Sequence, residues 1–176
     1  MLSPITAELQ PLATGHGPAI LAFEIVNRSY FSATVSDRGD EYFATFADRL
    51  EEALADQAAD RAAYFVLVEP DGSVVGRFNL YGIVDGSAEL GYRVAERVAG
   101  RGVATAAVRE LCRWAAEDRG LTRLVARTSV DHRASQRVLL AAGFVIEGPT
   151  DIDGRSAIAF RRDLAGRDGP DGARRP

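Results

Sequence analysis

Apolar positions in this 176-residue chain recur at two spacings that alternate along it. In residues 41–60, Phe43, Phe46, Ala47, Leu50, Leu54 and Ala58 repeat at the helical interval with charges on the other side. Val103, Ala107, Val108, Leu111, Cys112 and Ala115 repeat in the same way further on, so both stretches are predicted as amphipathic helices. A shorter helix is predicted over residues 18–28, where Ile20, Leu21, Phe23, Glu24 and Val26 give a partly apolar face, with a loop over 29–40 after it. Elsewhere the pattern is that of strands. Residues 5–10 alternate weakly and fit an edge strand; 64–68 and 73–80 form a hairpin across Glu69-Pro70-Asp71-Gly72; and Val84-Asp85-Gly86-Ser87 turns into a third strand over 88–94. Residues 122–129 are rich in aliphatic and β-branched side chains, Asp131 is placed to cap a helix over 132–142, and 144–147 pairs with 156–162 across Asp153-Gly154.

Three meandering strands followed by a helix crossover to a parallel neighbour predict a mixed α/β chain of the α+β kind. Residues 1–165 are expected to form one domain, and residues 166–176, which are Gly, Pro and charge, are expected to be disordered.

The junction between the third strand and the long helix carries the chemistry. Residues 93–105 read Arg-Val-Ala-Glu-Arg-Val-Ala-Gly-Arg-Gly-Val-Ala-Thr. Gly100 and Gly102 remove Cβ atoms that would hold backbone N–H groups away from an anion, and the helix beginning near Val103 aims its unpaired N–H groups and positive dipole end at the same place. Four arginines and one glutamate lie between Arg93 and Arg109, in a chain of net charge −4. A phosphate-bearing ligand is expected. A Walker loop needs a lysine after its last glycine, and the chain contains no lysine. A dinucleotide fingerprint needs a third glycine where Thr105 stands.

The spacing Arg97-x-x-Gly100-x-Gly102 with Ala104 and Thr105 following, between the strand Ala88-Glu89-Leu90-Gly91-Tyr92-Arg93-Val94 and a helix, resembles the GNAT superfamily of acetyl-CoA-dependent N-acetyltransferases. A later strand, a short helix carrying Ser135, and Gly143-Phe144 continue the resemblance. It spans about residues 5–163 and is most similar to the branch containing the ribosomal-protein alanine N-acetyltransferases. The resemblance implies a bent, mostly antiparallel sheet of about seven strands flanked by about four helices.

It also implies roles for particular residues. Acetyl-CoA, as co-substrate, would lie with its pantetheine along Tyr92, Arg93 and Val94 and its pyrophosphate on Arg97, Val98, Ala99, Gly100, Arg101, Gly102, Val103, Ala104 and Thr105. Ser135 stands where the family donates to the coenzyme sulfur; the alternative is a polar residue on a helix face. Glu89 stands where many members carry the base that takes the amine proton; the alternative is a solvated glutamate paired with a neighbouring arginine. His132 replaces the family's frequent asparagine, and its imidazole either bonds the pantetheine arm or faces solvent. Leu139 occupies the position of a frequent tyrosine acid, which excludes acid catalysis from there. A catalytic glutamate of the alanine acetyltransferases aligns loosely with Thr150, beside Asp151.

Composition narrows the remaining classes. All 21 basic residues are arginine and the single cysteine, Cys112, falls on the apolar stripe of its helix, so it reads as core and no internal disulfide can form. A reducing, cytoplasmic compartment is expected, without a membrane partner, because no basic start of a secretory signal and no apolar run of spanning length occurs. The acidic balance disfavours nucleic acid, and His16, His132 and Cys112 lack metal-ligand spacing, so no metal is expected.

The acceptor is expected to be a peptide or protein N-terminal α-amine attacked directly in a ternary complex. An α-amine (pKa about 7.7–8.0) is easier to present neutral than lysine (about 10.4), by roughly 3.5 kcal/mol. The loop over 29–42 places Asp37, Asp40 and Glu41 beside Tyr30, Phe31 and Tyr42, which would suit a cationic amine or be a solvated, helix-capping loop. Two rival readings are a small amine such as an antibiotic, polyamine or amino acid, and a non-catalytic acyl-CoA sensor. A homodimer is compatible with each.

Overall fold

The computed structural model describes residues 6–164; the expected domain boundary at 165 and the expected disorder of 166–176 lie outside the described residues. The strands are β1 (Glu8–Pro11), β2 (Ala63–Val68), β3 (Val74–Val84), β4 (Ser87–Val94), β5 (Arg123–Ser129), β6 (Val145–Ile152) and β7 (Arg155–Asp163). They form one open sheet in the order β1-β2-β3-β4-β5-β7-β6. Every neighbouring pair is antiparallel except β4 and β5. Two hairpins are closed by Asp-Gly pairs. Asp85-Gly86 (φ 49° and 72°) joins β3 to β4, and Asp153-Gly154 (φ 51° and 75°) joins β6 to β7, both with the consecutive positive φ of a type I′ turn.

The helices are α1 (Gly17–Val26), α2 (Arg28–Ser32), α3 (Asp40–Ala44), α4 (Phe46–Ala58), α5 (Val103–Glu117) and α6 (Arg133–Ala141). Six are present among the described residues where about four were expected. The stretch 29–40 begins as α2 rather than loop, and the helix expected over 41–60 is broken at Thr45. There the Thr45 hydroxyl donates back to the Glu41 carbonyl at 2.8 Å, a local bond that competes with continuous helix. Nor does Asp131 cap α6: the cap position is His132, without a side-chain cap bond, and Gln136 instead ties the first turn to β5 by donating to the Ser129 and Val130 carbonyls. β6 runs on past Glu147 because it is an edge strand, which accommodates a bulge between Ile146 and Gly148 and the missing N–H of Pro149.

The two faces of the sheet are chemically different. On one, Phe65, Phe78 and Tyr92 share a register row; Phe65 packs edge-on against Trp114 of α5 at 4.7 Å and Phe78 stacks on Tyr92 at 5.8 Å. Here α5 buries Ala107, Val108, Leu111, Cys112 and Ala115 of the stripe that its periodicity predicts, with Ala104 buried in the first turn where Val103 was expected and Val103 half-buried. On the other face, Arg77 of β3 and Arg93 of β4 reach Glu24 of α1 at 2.7 and 3.0 Å, and Arg38, in the loop before α3, reaches it at 3.4 Å. Glu24 is only 1% exposed. Arg77 also donates to the Tyr42 hydroxyl at 3.0 Å, while Arg38 and Arg93 lie over the Tyr42 and Phe31 rings. One carboxylate thus holds α1, two central strands and a loop together.

The single parallel contact determines where the sheet opens. β4 and β5 pair from Ser87–Arg123 to Leu90–Ala126 and then part, β4 continuing along β3 to Val94 and β5 along β7 to Ser129. The gap is a fork whose one prong is the edge of residues 91–94.

Two changes test this account of the packing. Leu111→Ala, at a fully buried site on α5, is expected to lower unfolding free energy by about 2–5 kcal/mol, read from a urea midpoint. Glu24→Ala leaves three guanidinium groups facing one another without their anion, and is expected to cost about 3–5 kcal/mol by the same measurement.

Candidate active site

The site begins at the N-terminus of α5. Gly100 and Gly102 hold φ of 72° and 78°, which L-residues rarely adopt, and the space that a Cβ would enter at each is empty. The first satisfied N–H of the helix is that of Ala106, on the Gly102 carbonyl at 3.0 Å. The N–H groups of Val103, Ala104 and Thr105 have no acceptor among the described residues, so an open, donor-lined end faces outward.

The arginines that made this segment look strongly cationic are largely engaged elsewhere. Arg93 turns its side chain to Glu24, on the opposite face of β4 from Tyr92. Arg97 makes a bidentate pair with Glu69 in the β2–β3 turn, and Arg109 donates to the Ala141 carbonyl at 2.6 Å. The segment is cationic in sequence, and carboxylates from distant segments meet two of its arginines.

Within the fork lies a cavity of about 310 Å³. Leu90, Gly91 and Tyr92 line it from β4, residues 126–129 from β5, and His132, Ser135 and Leu139 from α6. Thr34, Val35 and Ser36 close it from the loop after α2, and Asp153, Arg155 and Ser156 from the last hairpin. A second cavity of about 530 Å³ adjoins it, sharing Thr34, Val35, Ser129, His132, Arg155 and Ser156. The structure therefore brings Ser135, His132 and Tyr92 onto one surface, with Leu139 as its apolar floor one turn beyond Ser135.

The side chains on this surface have distinct states. The Tyr92 hydroxyl lies 3.0 Å from Ser135 Oγ and 3.3 Å from the Ser135 carbonyl. Burial pushes the Tyr92 pKa up to about 12, so the phenol keeps its proton. Burial also lowers the His132 pKa from its ordinary value, which leaves a neutral imidazole at pH 7. Cys112, buried in α5, has its thiol pKa raised by burial and stays a core residue as its position on the stripe predicts.

Glu89 is paired with Arg127 of β5 at 2.9 Å, with a second contact at 3.4 Å, and does not line the cavity. Arg127 also donates to the Asp151 carbonyl at 3.2 Å. Asp151 accepts from the Gly154 N–H at 3.3 Å and shapes the hairpin turn. In the loop after α2 the acids are spent as well. Arg28 holds Asp37 at 2.6 Å and Asp40 at 2.7 Å, drawing the Asp37 carboxyl below its usual range, and Phe31 and Tyr42 are buried. Of the two readings of this loop, the pairing of Asp37 and Asp40 and the burial of Phe31 and Tyr42 favour the structural one.

Sequence reasoning missed two features of this site: Glu24, which reads as one polar residue on a helix face, and the side chain of Tyr92, for which only a backbone role was expected. Among the described residues there is no cluster of His, Cys, Asp or Glu that could hold a metal ion, and no helix is long and apolar enough to cross a membrane.

Comparison with known proteins places this geometry. The model of the acetyltransferase (GNAT) domain matches residues 8–145. A curated relative, the putative ribosomal N-acetyltransferase YdaF of Bacillus subtilis, is 36% identical over 96 residues, 53% of this chain and 52% of that protein; the match spans about half of its length. Among solved structures, the ribosomal-protein-S5-alanine acetyltransferase of Vibrio fischeri superposes with a TM-score of 0.84 at 21% identity, covering 90% of this chain and 93% of the other. A ribosomal L7/L12 α-N-protein acetyltransferase, solved in complex with coenzyme A, superposes with a TM-score of 0.78 at 18% identity, covering 92% and 97%. The family model covers most of the chain, and its open seven-stranded sheet superposes on these structures: the chain belongs to the GNAT acetyltransferase family.

Proposed function

We propose that this N-acetyltransferase transfers the acetyl group of acetyl-CoA to the N-terminal α-amine of a peptide or protein, by direct attack in a ternary complex. The observation that carries the reading is the fork: a strand edge, a cavity lined by Ser135, and a donor-lined helix end in one molecule. Acetyl-CoA supplies the activated acyl group. Tyr92, Arg93 and Val94 would hold its pantetheine as an added strand through their backbone, and residues 97–105 its pyrophosphate. The empty space over Gly100 and Gly102 fits that use. His132, neutral and on the cavity wall, would bond the pantetheine arm.

Ser135 donates to the sulfur that leaves as a thiolate, and Leu139 keeps water from that side. Glu89 takes the amine proton through water rather than directly, since Arg127 occupies its carboxylate and it stands outside the cavity lining. An α-amine suits so modest a base, because a substantial fraction is already neutral near pH 7. Holding amine and thioester together removes a bimolecular entropy cost of roughly 7–11 kcal/mol at best, and positioning supplies the rest of the argument.

The acceptor class follows from the walls. The carboxylates lining the two cavities are Asp153 and Asp131, set against Arg127 and Arg155, which gives no acidic tube for a polyamine. The adjoining cavity leaves room for a chain to trail from its terminal amine. The names of the relative and structural neighbours described above, which concern ribosomal or ribosomal-protein acetylation, agree with such an acceptor. A reducing, cytoplasmic site of action fits the single buried thiol.

Three outcomes are expected. Gly102→Glu, which puts a side chain and a negative charge in the empty space of the cradle, should weaken acetyl-CoA binding by at least about tenfold in calorimetry; unchanged affinity in the folded variant would remove the cradle from the site. Ser135→Ala should lower kcat by about 10²-fold, measured as thiol release. Peptides with free N-termini should be turned over with higher kcat/KM than spermidine or aminoglycosides, whereas tight acetyl-CoA binding with no acceptor-dependent thiol release across that panel would favour a sensor.

A further inference from the structure

We propose that Tyr92 is a positioning residue for the transfer: its hydroxyl fixes the Ser135 hydroxyl so that the serine proton is available to the sulfur of the bound thioester. The proposal rests on the acetyl-transfer reading above and deepens it.

The geometry is specific. Tyr92 projects from β4 and Ser135 from α6, 43 residues apart, and they meet across the fork at 3.0 Å between hydroxyl oxygens. Both side chains line the cavity. The tyrosine ring is held against Phe78, 5.8 Å between centroids and 10° between planes, and Phe78 is fully buried. The phenol oxygen therefore has little freedom to move away. It has two acceptors within reach, Ser135 Oγ and the Ser135 carbonyl at 3.3 Å.

Each hydroxyl has one proton, and this restricts the arrangements. With the tyrosine donating to the carbonyl, the serine donates to the tyrosine oxygen and both protons are used within the pair. With the tyrosine donating to Ser135 Oγ, the serine proton is free for a third atom. A sulfur gaining negative charge favours the second arrangement, so the pair is satisfied at rest and turns outward as charge develops. The C–N bond forms from the amine lone pair, the C–S bond breaks with its electrons going to sulfur, and the proton released by the amine leaves through water to Glu89. Ser135 shields the sulfur by its hydrogen bond while Tyr92 compensates Ser135 Oγ. Tyr92 gives up no proton, because its pKa of about 12 stands well above an ordinary thiol at about 8.5. Leu139 cannot perform this task from the next turn of α6, and the tyrosine that can comes from the neighbouring strand.

The test is a double-mutant cycle read by steady-state kinetics and calorimetry on the full chain with acetyl-CoA and a peptide acceptor. Tyr92→Phe keeps the ring on Phe78 and is expected to lower kcat about tenfold, with acceptor KM and acetyl-CoA Kd within about twofold of wild type. In the Ser135→Ala background, the same change should have no further effect on kcat. Tyr92→3-fluorotyrosine, which retains the hydroxyl, should keep kcat within about twofold. The proposal is overturned if Tyr92→Phe leaves kcat unchanged while raising Kd or KM, if its effect multiplies undiminished in the double variant, or if the fluorotyrosine variant loses as much as the phenylalanine one. Wild-type protein that neither binds nor turns over acetyl-CoA would overturn the function reading and this role with it; wild-type turnover with an indifferent Tyr92→Phe overturns only the role of Tyr92.

Discussion

The contact between β4 and β5 covers four residue pairs, and the site exists because it stops there. Parallel pairing is slightly weaker per residue than antiparallel pairing, and each strand here has a longer antiparallel partner on its other side. Right-handed twist then separates them beyond Leu90 and Ala126, once further pairing no longer offsets the distortion of two better ladders. The packing at Gly91 contributes: a Cβ there would come within 3.0 Å of the Tyr81 ring, so the strand carries no side chain on that face where the fork opens. An unpaired strand edge is ordinarily a hazard for aggregation, and here it lies inside a fork that an extended ligand can complete.

On the face of the sheet opposite Tyr92, Glu24 ties the elements together. Burying one carboxylate among three guanidinium groups is unfavourable for each charge alone, and the arrangement holds because hydrogen bonds and two aromatic rings take up the remaining cationic surface. The same cluster turns Arg93 away from the face that carries Tyr92. Glu69 does likewise for Arg97, with Ser73 in support. Charge counted along residues 93–109 therefore overstates what a ligand meets, since two of those arginines are matched by carboxylates from α1 and from the β2–β3 turn. Backbone N–H groups add donors whose number is fixed by where α5 begins and not by composition.

What could be read in the chain beforehand divides along the range of the interaction. The stripe of α5, the Asp-Gly turns and the glycine cradle are each specified within about fifteen residues, by periodicity or by a φ that only certain residues adopt, and all three lie where the sequence places them. The break at Thr45 is also local, but it depends on one hydroxyl choosing a backbone carbonyl over solvent, which the apolar pattern does not register. Glu24 and Tyr92 belong to another class. Their strand and helix partners, Arg77, Arg93 and Ser135, lie 43 to 69 residues away, so a helix glutamate and a strand tyrosine look alike in sequence whether they are solvated or central. Glu89 shows the same limit from the other side: a paired strand glutamate was one of its two readings, and the fold supplies Arg127 to pair with it.

The electrostatics of the acceptor wall tie these features together. Arg28 neutralises Asp37 and Asp40, Arg38 is drawn to Glu24, and the loop between them presents Thr34, Val35 and Ser36 to the cavity. The carboxylates that do line the cavities, Asp153 and Asp131, share those walls with Arg127 and Arg155, so a bound amine meets both signs of charge while desolvation disfavours its charged form. The cost of presenting a neutral nitrogen then falls mainly on the acceptor's own acidity, which separates an α-amine from a lysine by two to three pKa units. A strong base inside the cavity is unnecessary for the first and would be needed for the second. Under the proposed α-amine reading, the engagement of Glu89 by Arg127 and of Asp37 and Asp40 by Arg28 leaves selection of the acceptor to the amine's own pKa and to the shape of the passage that leads to Ser135.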